Sequence, residues 1–357
     1  MNGTDASAEP PPTVTPRVTV LTSVYNGAPH LDAAIESILA QTWRDFEFLL
    51  IDDASTDASP MILAAWAGRD PRIRLVRNAE NLGLTRSLNK GIALARGVWI
   101  ARQDADDRSL PERLERQLRF LESHPEVGLL GSAAWILQEN GQRESIPRGV
   151  PSRHLAIAWH LLFANPFFHA SVMVRRELLL ANPYDESVRH SQDFELWGRL
   201  VSKTRAANLA EPLIELRHHD ARISVRQHAS QQATGMGIVQ GRLEKLCPDL
   251  SWDEARVAAV RQLIHAEWPK AGETTEVYLV WLRLLECFEQ DMAHDPERSE
   301  MLRVQERVLR RCWRAVIGMH GLADRLRLLR AMVRVAGWRS VKVLTRLALV
   351  RFKPHPW

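Results

Sequence analysis

Between residues 18 and 107 one pattern recurs: a short apolar run, a polar break, then apolar residues at helical spacing. Val18-Thr-Val-Leu-Thr-Ser-Val24 is the first run, and it stops at the turn signal Tyr25-Asn26-Gly27. Leu31, Ala34, Ile35, Ile38 and Leu39 then mark one helical face. Phe46 to Ile51 is the second strand and ends in Asp52-Asp53-Ala54-Ser55-Thr56-Asp57; Ile73 to Val76 is the third. Asn81-Leu82-Gly83-Leu84 leads into a helix through Leu88, Ile92, Ala93 and Ala95, closed by Gly97. The fourth strand, Val98 to Ala101, runs on through Arg102 and Gln103 into Asp104-Ala105-Asp106-Asp107. Such alternation predicts an α/β fold with a parallel sheet and right-handed crossovers. Ligands bind beyond the carboxyl ends of such strands, where Tyr25-Asn26, Asp52-Asp53 and Asp104-Ala105-Asp106 all fall.

Further on, Leu114, Leu118 and Leu121 give an amphipathic helix, and a β-like stretch follows at Val127–Ser132 and Ala134–Leu137. Phe194, Leu196, Trp197 and Leu200 are expected to point inward from a helix that opens near Asp193. Beyond about residue 226 the pattern is helical, with one segment opened by Trp252 and another face at Val280, Trp281, Leu284 and Leu285. Between Leu326 and Leu349, Arg327, Arg330, Arg334, Arg339, Lys342 and Arg346 oppose Leu328, Leu329, Met332, Val333, Val341, Leu344 and Ala348. This face suits an anionic membrane surface, or else a helical hairpin packed on the rest of the chain.

Composition changes little. The 357 residues are 45% hydrophobic and 25% charged with net charge +4, ordinary for a globular protein. Cys247, Cys287 and Cys312 are far apart in sequence, without zinc spacing, and read as buried thiols in a reducing compartment. Residues 1–17 are Pro-rich without an apolar core, which predicts a disordered lead and not a signal peptide. No apolar run is long enough to span a bilayer, so a cytoplasmic protein is expected, peripheral on the membrane's cytoplasmic face if the C-terminal segment binds it.

Three carboxylates within four residues repel one another at the end of a buried strand, and a divalent cation would relieve that conflict. The alternative is a solvated Asp-rich turn before a helix opened by Ser109 and Pro111. Neither Gly-x-Gly-x-x-Gly after the first strand nor a Gly-Lys-[Ser/Thr] loop is present, so a dinucleotide site and a P-loop are unsupported.

Taken together, VTVLTSVYNG…FEFLLIDDASTD, NLGLTRSLNKGIALARGVWIARQDADD, Asn165-Pro-Phe-Phe-His169-Ala-Ser-Val-Met-Val-Arg-Arg176 and Gln192-Asp193-Phe-Glu-Leu-Trp197-Gly-Arg199-Leu200 resemble glycosyltransferase family 2, over roughly residues 17 to 225. The resemblance implies a GT-A fold over 18–225, with a nucleotide-sugar half (18–110), an acceptor half (111–225) and a helical C-terminal region (226–357). It also implies that Asp53, and with less force Asp52, accepts the imino N–H of uracil, thymine or guanine. Tyr25 would lie against the base unless it is a strand-end core tyrosine, and Ser23 and Asn81 complete the nucleotide set. Asp104 would hold the ribose, Asp106 would ligate Mn²⁺ or Mg²⁺, and Asp107 would cap or support the loop. Asp193 matches the family's general base; its alternative is an N-terminal helix acid. Gln192 replaces the family's usual Glu. His169, Gln192, Trp197 and His219 are candidates for acceptor or diphosphate contacts, although a lone histidine such as His169 is more often core.

The expected function is non-processive, inverting transfer of a sugar from a UDP-, dTDP- or GDP-sugar to a glycan or lipid-linked glycan, without nucleic acid. A processive polymerase would bring membrane spans and Gln-x-x-Arg-Trp, which the sequence lacks. A sugar-phosphate nucleotidyltransferase would need a basic Gly-rich loop where Tyr25-Asn26-Gly27-Ala28 stands. A non-catalytic nucleotide-sugar binder stays open.

Overall fold

The computed structural model describes residues 15–138, 140–145, 150–217, 228–265, 275–296, 300–319 and 321–336. Strands β1 (Val18–Val24), β2 (Phe46–Asp52), β3 (Ile73–Arg77) and β4 (Trp99–Arg102) pair in parallel in the order β3-β2-β1-β4. Helices α1 (Ala28–Leu39), α2 (Ser59–Ala67) and α3 (Leu84–Leu94) connect them. Every residue of β2 is buried: Phe46, Phe48 and Leu50 face one core and Leu49 and Ile51 the other. Val24 is in register with Asp52, and Leu21 with Arg102, which sets the polar breaks side by side at one sheet end. Between α3 and β4 a side chain at Gly97 would strike the backbone of Val18 and Thr19, so only glycine allows this approach.

Beyond β4 the parallel expectation ends. β8 (Met173–Arg175) runs antiparallel to β4 and to β6 (Val127–Leu137), and β9 (Arg205–Arg217) is parallel to β6. β5 (Arg108–Ser109) and β7 (Arg143–Ser145) add antiparallel pairs at β9 and β6. Ser109 therefore does not cap the next helix, α4 (Arg113–Ser123), whose N-cap is Glu112 with no side-chain cap bond. Only strand pairs that run parallel require a crossover, so a strand arriving from the opposite direction, as β8 does, pairs antiparallel with β4 and β6.

One sheet face is covered by α1, α2 and α4 through Leu31, Ile35, Leu63, Leu114 and Leu118. The other carries α3, α5 (His154–Leu161), a short helix α6 (Arg176–Ala181), α7 (Gln192–Leu200) and the C-terminal helices. These last are α8 (His228–Leu246), α9 (Glu254–His265), α10 (Thr275–Asp291), α11 (Met301–Gly318) and α12 (Leu322–Ala336). Their core is continuous with that of the sheet: the Trp159 ring of α5 lies 6.2 Å from Trp281 and 5.3 Å from Phe288.

Within α12 part of the basic amphipathic face is packed on the rest of the chain. Leu328 and Met332 are fully buried, and Arg327 and Arg334 pair with Glu276 and Glu286 of α10. Leu328 and Met332 are thereby spent on packing against neighbouring helices, while Val333 stays exposed. Arg339, Lys342 and Arg346 lie outside the described residues, as do residues 1–14 of the N-terminal lead. Among the described residues no helix is long and apolar enough to cross a membrane. Packing also unites two of the cysteines: Cys247 Sγ and Cys287 Sγ are 2.8 Å apart, both buried.

Candidate active site

At the end of β1, Tyr25 presents a ring that is 53% exposed, which rules out the core alternative, and Ser23 is partly buried beneath it. Asn26 takes a left-handed conformation (φ 51°), and its Oδ1 accepts from Thr56 N at 2.8 Å, joining the breaks after β1 and β2. Asp52 is buried; its Oδ1 accepts from Ser55 N at 3.0 Å and its Oδ2 lies 3.3 Å from Arg77 Nε. Asp53 is 1% exposed and accepts from Asn78 Nδ2 (2.7 Å), Leu82 N (2.8 Å) and Gly83 N (2.9 Å). Its first task is therefore to clamp the loop after β3 to the end of β2. Asn81 is exposed on that loop, with Nδ2 3.4 Å from the Asp53 carbonyl. Sequence reasoning passed over buried Asn78, which also donates to Ser87 Oγ at 2.8 Å and accepts from Lys90 Nζ at 2.7 Å.

In the Asp-Ala-Asp loop, groups of the protein itself relieve part of the charge for which a cation was expected. Buried Arg102 reaches Asp104 Oδ1 at 2.5 Å. Asp107, fully buried, accepts from Arg217 N at 2.9 Å through Oδ1. Gln103 donates to the carbonyls of Asp104 (3.1 Å) and Asp107 (2.8 Å), holding both ends of the loop. Under it lies Arg113, fully buried, which donates to Gln103 Oε1 (3.1 Å), Ser109 Oγ (2.9 Å), the Arg102 carbonyl (2.8 Å) and Gln117 Oε1 (3.1 Å). Burial and the neighbouring Arg102 lower its pKa to about 9, opposed by Asp104 and Asp107. Gln117 continues the chain to the Ser171 carbonyl at 2.7 Å, in the turn before β8. No periodicity announces these polar residues, since they fall among core positions. Asp104 and Asp106 are both partly exposed hard oxygen donors, a set that fits Mn²⁺ or Mg²⁺.

Across β4 from the first three strands, a short 3₁₀ turn, His169–Ser171, precedes β8. His169 Nε2 lies 2.9 Å from the Tyr184 hydroxyl, and both rings stand against Trp197. Burial and Arg102 hold His169 below its usual pKa, while Asp104 and Asp193 pull the other way. Burial raises the Tyr184 pKa, with the same three charges acting on it. The pair thus feels Asp104 and Asp193 together. Asp193 opens α7 and accepts from Asn165 Nδ2 at 2.8 Å through Oδ2. Beside it Gln192 is partly buried, and Glu195 is engaged at 2.7 Å by Arg199 one turn on. Trp197 departs from its expected ligand contact: it is 0% exposed, its Nε1 has no hydrogen-bond partner, and it supports the His169–Tyr184 pair from within the core. His219 lies outside the described residues.

Residues 19–179 match the family model described as Glycosyl transferase family 2. EpsE of Bacillus subtilis strain 168 is 36% identical over 208 residues, covering 57% of this chain and 73% of that protein. The amylovoran biosynthesis glycosyltransferase AmsE of Erwinia amylovora is 34% identical over 202 residues, 56% of this chain and 75% of its own. Among solved structures, S. aureus TarS 1-349 in complex with UDP aligns with TM-score 0.52 and 16% identity over 95% of this chain and 94% of that one. A mannosyltransferase, PcManGT from Pyrobaculum calidifontis with GDP-Man and Mn²⁺, aligns with TM-score 0.50 and 19% identity over 96% of this chain and 87% of its own. At those identities the likeness is one of fold, that of GT-A glycosyltransferases. The sheet, the acidic strand ends and these relatives agree: the chain belongs to glycosyl transferase family 2 and is a glycosyltransferase.

Proposed function

We propose that this enzyme transfers a sugar, with inversion, from a UDP-, dTDP- or GDP-sugar to a hydroxyl of a surface polysaccharide or lipid-linked oligosaccharide. The observation that carries this reading is that Asp104 of the strand-end loop and Asp193 of α7, held by Asn165 at 2.8 Å, both act on His169 and Tyr184, whose side chains meet at 2.9 Å. Tyr25 lies against the base, Asp53 accepts its imino N–H, Ser23, Asp52 and Asn81 line that end, and Asp104 holds the ribose. Asp106 would hold Mn²⁺ or Mg²⁺, which supplies positive charge to the diphosphate. Asp193 takes the proton of the acceptor hydroxyl as its oxygen attacks the anomeric carbon from the face opposite the departing diphosphate. Asn165 holds one oxygen of Asp193, directing the other at the acceptor. Polysaccharide synthesis is supported by the similarity to AmsE, an amylovoran biosynthesis glycosyltransferase. Residues 18–225 form the catalytic unit, the described helices between His228 and Ala336 support it, and the enzyme works on the cytoplasmic side.

A thermal-shift panel of UDP-, dTDP- and GDP-sugars with and without Mn²⁺ tests the donor class, because a ligand that binds only the folded state raises Tm. The best donor is then used with Asp193→Asn, which should lower kcat by about 10²- to 10⁴-fold while leaving that Tm rise in place. Near-wild-type turnover, or a product of retained anomeric configuration, would sink the base assignment.

A further inference from the structure

Besides the shared core and the pairs that Asp295 and Glu300 make with Arg205 and Arg153, two arginines of the C-terminal helices reach the backbone near Asn165 and Asp193. Arg242 of α8 donates to the carbonyls of Leu161 and Phe194 (the latter 2.6 Å) and lies 3.4 Å from that of Glu195. Its guanidinium stacks 4.2 Å from the Phe194 ring centroid. Leu161 is the last residue of α5, so this cation meets a carbonyl left without a partner at the negative end of a helix dipole. Burial lowers Arg242 to about pKa 10, which leaves it charged at neutral pH. The space for it is made by Gly198 on α7, where a Cβ would collide with the guanidinium. Arg261 of α9 makes a similar contact two residues further on, donating Nε to the Phe163 carbonyl at 3.0 Å. Ser191, the left-handed residue before α7 (φ 56°), lies 3.3 Å from the Gln231 carbonyl of α8.

These contacts fall on two stretches only, 161–163 and 191–195. Asn165 extends from the first and Asp193 from the second, and they meet at 2.8 Å. We infer that Arg242 and Arg261 are positioning residues of the transfer reaction: the helical region fixes the loop carrying Asn165 against the first turn of α7 and thereby aims Asp193. This rests on the assignment of Asp193 as the base. A misplacement of about 1 Å can cost on the order of 10²-fold in rate, so a distant clamp has kinetic leverage.

The test is a double-mutant cycle on the full chain, measuring nucleoside-diphosphate release from the donor that gives the largest thermal shift with Mn²⁺. Arg242→Met should lower kcat about 10- to 100-fold with little change in the donor's Tm rise. Arg242→Lys, which keeps charge and some donors, should recover part of the loss. Gly198→Ala, which displaces the guanidinium without altering it, should reproduce the loss and carries the test if Arg242→Met does not fold. In an Asp193→Asn background, Arg242→Met should cost little more, because the group it aims is gone. Hydrogen exchange should rise at 161–165 and 192–196 in either variant. Unchanged kcat and exchange in both Arg242→Met and Gly198→Ala, or losses that multiply with that of Asp193→Asn, would overturn the inference. If Asp193→Asn itself keeps wild-type turnover, the base assignment falls first, and a loss in Arg242→Met must then be traced to another group.

Discussion

Arg102 Nη2 stands 2.5 Å from Asp104 Oδ1, so the first acid of the Asp-Ala-Asp triplet is compensated from inside the fold. The two acids should therefore differ in what they lose on neutralisation. Asp106→Asn should remove most of the Mn²⁺-dependent part of the Tm rise given by UDP, dTDP or GDP, with little effect on the protein alone. Asp104→Asn should also destabilise the ligand-free protein, by about 1–3 kcal/mol, because Arg102 stays buried without its carboxylate. Equal diphosphate binding by wild type in Mn²⁺ and in EDTA would refute the metal role of Asp106.

Arg113 ties the loop to α4 through Gln103, Ser109 and Gln117. Arg113→Met would leave several buried acceptors unpaired, so the urea midpoint should drop by the equivalent of about 3–5 kcal/mol. Lysine at this position has fewer donors and no fork, and should restore only part of the loss. A change below about 1 kcal/mol in Arg113→Met would show that water replaces these bonds.

His169 gives a pH signature. Its folded pKa lies below 6.5, chiefly from burial and then from Arg102. As pH falls below that value the unfolded chain takes up the proton more readily than the folded one, so stability declines. Unfolding free energies of wild type and His169→Asn, measured at pH 7.5 and pH 5.5, should show the steeper acid decline in wild type. Parallel declines would mean that His169 does not carry the effect.

Cys247 and Cys287 should be separable from Cys312 by oxidation. Burial, then the neighbouring Cys287 and Asp249, raise the Cys247 pKa, so the reaction should be slow. Diamide should take two electrons and two protons from the pair, becoming the hydrazine as one S–S bond forms. Thiol titration of the denatured protein should then find one thiol per chain instead of three. Closing a loop between residues 40 apart should raise stability by about 4 kcal/mol in the chain-entropy account. Three thiols after treatment, or a dimer on a non-reducing gel, would contradict this pairing.

The sequence by itself determined the four strands from Val18 to Arg102, the helices α1 and α3 between them though not α2, and the gathering of Tyr25, Asp52, Asp53 and Asp104 at one sheet end. Local periodicity reports which face of each element is buried, and parallel connection puts like strand ends together. It could not report partners. Asp53 was legible as an acid at a strand end, but its bonds to Leu82 and Gly83 span 29 and 30 residues. Trp197 and Arg113 show the same limit: helical spacing placed the tryptophan inward without revealing what it supports, and a charged residue on an amphipathic helix reads as solvated until its acceptors are known. The antiparallel return of β8, the contact of Asn165 with Asp193 and the hold of Arg242 on both α5 and α7 were decided by tertiary packing. Each depends on which distant surfaces meet, and a hydrogen bond between residues 48 positions apart, as from Arg242 to Phe194, leaves no repeat in the chain for a local pattern to detect.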